Sequence, residues 1–240
     1  MAILPSSTQP KPFVVREPHS VQYSAELSAS DFALTQSNAK GMYRCGRPGR
    51  NNRGHAQSGA TPLSILTIDF EASCLPRHGR SFPIEVGVAV EGWSCSWLIR
   101  PHNDWADWTW TQEAQALHGL DRTAIAQKGL DADIVLALLS DAAVGRRVVA
   151  DSRIDQQWLD TLAAAAGRPT PFVIEHVSTI VTERGTTDMQ IRQAMAVADR
   201  RCPTRHRAGT DALWLATMLA HLPLDASGRL EPVLSELLSV

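Results

Sequence analysis

Three strand-like runs follow one another between residues 63 and 100, and they limit the architecture more than any other feature of this 240-residue chain. Leu63-Ser64-Ile65-Leu66-Thr67-Ile68 is apolar and partly β-branched, the pattern of a buried strand. Phe82 to Val90 is a second such run. A third spans Trp93 to Arg100, where Trp93, Cys95, Trp97 and Ile99 alternate with Ser and Leu. Three short strands in succession predict an antiparallel meander. Helical spacing then marks 111–118 and 131–143. A strand over 147–151, a helix over 154–166, a short strand near 172–174 and helices over 187–200 and 207–220 follow. Strands first, then alternating strands and helices, predict an α/β fold with a mixed five-stranded sheet flanked by helices.

Carboxylates sit at chosen points of this pattern. Side chains two apart in a strand share a face, so Asp69 and Glu71, directly after the first run, project to the same side. Two carboxylates that close repel unless something neutralises them. A divalent cation is the simplest answer, since Mg²⁺ prefers carboxylate, phosphate and water oxygens. Alone, such a pair is more often a solvated strand end or a salt-bridged edge. A second segment runs Val148-Val149-Ala150-Asp151-Ser152-Arg153-Ile154-Asp155, a strand turning into a helix whose apolar positions are Ile154, Trp158, Leu159 and Leu162. Asp151 also suits an N-cap. In the third segment His206 precedes a helix containing Asp211. Five residues apart on one continuous helix they would face different ways. They converge if His206 lies on the preceding loop and Asp211 in the first turns.

The order and context of these segments resemble the DEDDh 3′–5′ exonuclease family, which includes polymerase proofreading subunits, oligoribonuclease and ribonuclease T. Pro83-Ile84-Glu85-Val86-Gly87 is similar to the strand beside the family's first motif, with Glu85 in a structural role. The second motif usually reads His-Asn-Ala-x-Phe-Asp-x-x-Phe-Leu. Aligning it assigns the metal ligand to Asp155 and puts Asp151 where the family has Asn. His206-Arg207-Ala208 and Asp211 are similar to the third motif. His118-Gly119-Leu120 resembles a His-Gly-Ile turn near the terminal nucleotide, although a glycine helix C-cap explains it equally well.

The resemblance implies a ribonuclease H-like fold and a phosphodiester hydrolase. Asp69, Glu71, Asp155 and Asp211 would hold two ions, Mg²⁺ or Mn²⁺, about 3.5–4 Å apart. His206 would take the proton of the attacking water, since its ordinary pKa is about 6.5. The substrate would be single-stranded DNA or RNA with a free 3′ end, and the products nucleoside 5′-monophosphates. An oligoribonuclease limited to short RNAs and a non-cleaving nucleic-acid-binding or regulatory module are the alternatives. All five site residue types are present, which favours an enzyme.

Composition bounds the rest. Residues 1–60 mix Ser, Gln, Pro, Gly and Asn without a sustained period and carry seven Lys/Arg against three Asp/Glu. They read as a disordered basic extension. The other 180 residues carry 16 basic and 22 acidic residues, which argues against tight non-specific duplex binding. Residues 61–223 are expected to form the exonuclease domain, and 224–240 a tail or short docking helix. The four cysteines, at 45, 74, 95 and 202, include no C-x-x-C pair. No secretory or membrane-spanning run stands out, so a cytoplasmic protein without membrane attachment is expected. Trp105, Trp108 and Trp110 suit either a packed loop or a base-stacking surface, the former more often.

Overall fold

The computed structural model describes residues 64–223. The expected basic extension and the C-terminal docking helix lie outside these residues. The described strands are β1 (Ser64–Ala72), β2 (Pro83–Val90), β3 (Trp93–Leu98), β4 (Arg146–Ala150) and β5 (Ile174–His176). They form one sheet in the order β3-β2-β1-β4-β5. β2 runs antiparallel to both β1 and β3, while β4 is parallel to β1 and β5 parallel to β4. This is the mixed five-stranded sheet expected, with the meander on one side and the parallel strands on the other.

Seven helices flank the sheet among the described residues: α1 (Gln112–His118), α2 (Arg122–Lys128), α3 (Ala132–Ala143), α4 (Ile154–Ala165), α5 (Val177–Glu183), α6 (Asp188–Arg201) and α7 (Ala208–Ala220). Two of them, α2 and α5, were not expected from sequence. α2 is a seven-residue helix of about two turns whose start is fixed by Asp121, which accepts from the Ala124 N–H at 2.8 Å. α5 contains Val177, Thr179, Ile180, Val181 and Thr182, a β-branched run with strand propensity. Tertiary packing overrides it: Ile180 is buried against α6 and α7. β5 accordingly falls two residues later than expected.

The two faces of β1 explain the two cores. Leu66, Ile68, Phe70 and Ala72 point into the larger one, with Val135 and Leu139 of α3 and Trp158, Leu159 and Leu162 of α4. Each fully buried Leu or Ile contributes about 1.5–3 kcal/mol. Thr67 points to the other face, where its hydroxyl donates to the Ala212 carbonyl of α7 at 2.7 Å. A smaller core of Val149, Ala194, Ala198, Leu215 and Leu219 lies on this side. Asp69 and Glu71 share the parity of Thr67, so β1 aims them toward the start of α7.

Gly87 makes that approach possible. It pairs with Asp69 in the β1–β2 ladder. A Cβ at this position would lie 2.2–2.3 Å from the backbone of Ala208 and Gly209. The first turn of α7 therefore rests directly on β2, beside Asp69.

Candidate metal centre

Asp69 and Glu71 lie within β1, which extends to Ala72 rather than stopping before them. Asp211 lies in the first turn of α7. One carboxylate oxygen from each of these three residues falls within 4.8 Å of the others. Asp155 stands in the first turn of α4, outside this group of three but against it. It takes up the edge of β1 where β4 ends, its Oδ1 accepting the Phe70 N–H at 3.1 Å. Its Oδ2 is buried without a hydrogen-bond partner, in a side chain 1% exposed. A buried carboxylate oxygen left this way costs free energy unless a proton or a cation meets it.

The electrostatics carry the same message. Burial, then the charges of Asp155, Glu71 and Asp211, hold the Asp69 carboxyl well above the usual carboxylate range. Burial pushes Glu71 up to about 8, aided by Asp211 and Glu85 and opposed by Arg207. Burial and Asp151 push Asp155 up to about 8, against the hydrogen bond from Phe70. Carboxyls raised this way are protonated near neutrality unless positive charge enters among them. Four hard oxygen donors, one of them orphaned, fit Mg²⁺ or Mn²⁺.

His206 lies on the loop before α7, as its spacing from Asp211 predicts. It is the one non-glycine residue with positive φ (65°) among those described. Histidine tolerates this left-handed conformation better than most residues. The turn aims its backbone N–H at Asp211 Oδ2, 2.7 Å away, and leaves the imidazole exposed. The same loop is anchored by Glu85, which is 1% exposed. Arg207 donates to both Glu85 oxygens at 2.9 and 2.8 Å, and Ser96 Oγ donates to Oε1 at 2.9 Å. The Ala208 N–H donates to Oε2 at 3.3 Å, so Glu85 also serves the N-terminus of α7. Its role is structural, as expected.

His118 is not one of the three clustered ligands, but it lies within electrostatic reach of Glu85 and Arg207. It closes α1, with Gly119 in the left-handed C-cap conformation (φ 70°). Its Nδ1 accepts the Leu120 N–H at 3.0 Å, which puts the proton on Nε2. That buried Nε2 has no partner, and burial lowers the ring's pKa. The nearby tryptophans pack the loop, as preferred from sequence. Trp105 stacks on Phe82 with centroids 5.4 Å apart, and Trp110 Nε1 donates to Gln115 at 2.8 Å.

Two site residues went unrecognised in the sequence. Asp151 is no N-cap: Ser152 Oγ accepts the Ile154 N–H, and Asp151 joins the acidic group instead, raising both Asp69 and Asp155. The departure from Asn was the available signal. Arg205 pairs through Nε with Asp211 Oδ1, a contact across a loop that no periodicity announces.

The sequence matches no protein-family model and no curated protein. Similar solved structures exist at low identity. Pop2p of S. pombe, in a form with Mg²⁺ and Mn²⁺ bound, is 13% identical with a TM-score of 0.44, covering 66% of this chain and 82% of that one. E. coli exonuclease I in complex with a dT13 oligonucleotide is 10% identical with a TM-score of 0.47, covering 65% of this chain and 40% of that one. The exonuclease I of Methylocaldum szegediense is 14% identical with a TM-score of 0.38, covering 51% and 30%. The chain thus spans less than half the length of these exonuclease I chains. No helix among the described residues is long and apolar enough to cross a membrane.

Proposed function

We propose that this chain is a metal-dependent 3′–5′ exonuclease that removes nucleoside 5′-monophosphates from the free 3′ end of single-stranded DNA or RNA, with residues 61–223 as the catalytic unit. The observation that carries the reading is the convergence of Asp69, Glu71 and Asp211 within 4.8 Å, against a buried Asp155 oxygen that no hydrogen bond satisfies. With two divalent ions bound, the site gains Lewis acidity at the scissile phosphate and a nucleophile from bound water at neutral pH. Asp69, Glu71, Asp155 and Asp211 hold that charge in place. β1, α4 and α7 fix the four carboxylates before substrate arrives, which limits reorganisation during the reaction. His206 is the general base: it is exposed on a loop whose turn is tied to Asp211, so its imidazole is free to take a proton from the attacking water. His118 offers its unpartnered Nε2–H to the terminal nucleotide.

The test is a cleavage ladder. Purified protein is incubated with 5′-labelled single-stranded DNA, single-stranded RNA and a diribonucleotide, with Mg²⁺ or Mn²⁺. EDTA and Asp155→Ala serve as controls. Shortening by one nucleotide at a time from the 3′ end, absent from both controls, is the expected result. Cleavage that persists in EDTA, or no cleavage by folded protein with either metal, would refute the reading.

A further inference from the structure

Both oxygens of Asp211 already have partners. Oδ2 accepts the His206 N–H at 2.7 Å, and Oδ1 accepts from Arg205 Nε. The Arg205 guanidinium also lies over the Trp214 ring, with Cζ 4.4 Å from the centroid. Trp214 is itself fixed, donating from Nε1 to Asp199 at 2.8 Å. Arg205 therefore has two attractive partners, a carboxylate and an aromatic face. Its side chain is 37% exposed and that of Asp211 11%. It can leave the carboxylate and keep the ring without being buried or stranded. Burial raises the Asp151 carboxyl and the charge of Arg205 opposes it, so one guanidinium serves two carboxylates of the acidic group.

We infer that Arg205 is an internal counter-cation of the acidic site, holding Asp211 until a divalent ion competes it away. The inference rests on the reading of Asp211 as a metal ligand. Two cationic groups cannot share Asp211 Oδ1 at contact distance without repulsion, so entry of the ion weakens the Arg205 pair and the pair weakens the ion's affinity. Arg205 is then a positioning residue. Before metal enters, it offsets charge that would repel a polyanionic strand; once released, its planar donors stand beside the site, free to meet a phosphate.

The experiment is a calorimetric titration with Mn²⁺ alone, at constant ionic strength, of the full chain and of its Arg205→Gln and Arg205→Lys variants. Arg205→Gln is expected to bind Mn²⁺ about fivefold more tightly, the upper end for an ion pair of this exposure. Arg205→Lys keeps the charge but loses the planar fork, and is expected to bind about twofold more tightly. Thermal unfolding confirms that each variant is folded, and if Arg205→Gln is not, the lysine variant decides. Unchanged or weaker Mn²⁺ affinity in a folded variant overturns the inference while leaving the metal centre standing. Absence of Mn²⁺ binding by the unaltered chain would instead sink the metal-centre reading, and this inference with it.

Discussion

Gly87→Ala is the substitution most sensitive to how the site is assembled. The added methyl would lie 2.2–2.3 Å from Ala208 and Gly209, where ordinary carbon contacts need about 3.5 Å. The atoms it meets are backbone, so no rotamer change relieves the clash. Either β2 or the first turn of α7 must retreat by about 1 Å, and overpacking of this kind typically costs about 1–3 kcal/mol. Asp211 rides on that turn, three residues past Ala208, while Asp69 stays on β1 opposite Gly87. Separating ligands by about 1 Å is enough to lower a catalysed rate on the order of 10²-fold. Urea denaturation should therefore show the stability loss, and the 3′ cleavage rate of the folded fraction should fall by that order. Wild-type stability together with wild-type cleavage would refute the argument that α7 contact through Gly87 sets the position of Asp211.

Other perturbations separate chemistry from structure. His206→Ala should cut the cleavage rate by about 10²–10⁴ while Mn²⁺ binding, measured by calorimetry, persists; an unchanged cleavage rate in the folded variant would contradict the base assignment. Arg207→Ala should destabilise the chain by about 3 kcal/mol in denaturant titrations, because it leaves the Glu85 carboxylate buried without its ion-pair partner. The metal-free chain should lose stability as pH rises. Glu71 and Asp155 sit at about 8 in the folded chain, against about 4 when unfolded. The folded state thus holds more protons between these values, and the stabilisation is complete below about pH 4, declines by at most ~1.4 kcal/mol per pH unit for each group, and is gone above about pH 8. Thermal melts across this window should show the decline, and Mg²⁺ should reverse it at pH 8; a flat profile would count against the raised carboxyls.

The legible parts of this fold were those with strong local patterns. Period-two alternation in β3 and the apolar runs of β1 and β2 are visible residue by residue, as is the helical spacing of Trp158, Leu159 and Leu162 in α4. α5 was hidden because its β-branched residues favour a strand locally and are overruled by packing against α6 and α7. At the site, parity along β1 pairs Asp69 with Glu71, and the five-residue spacing places His206 on a loop. Asp155 was identified by resemblance, but the bond from the Phe70 N–H that holds its Oδ1 depends on β4 pairing ending short of Phe70, which sequence does not state. Arg205 and Asp151 belong to the site only through tertiary proximity, across elements with no shared period.

The most direct test is anomalous scattering from crystals grown with Mn²⁺ and a nucleoside 5′-monophosphate. The account predicts two Mn²⁺ peaks among Asp69, Glu71, Asp155 and Asp211, with the nucleotide phosphate bound to them. Well-ordered crystals in which these four carboxylates coordinate no Mn²⁺ would contradict it.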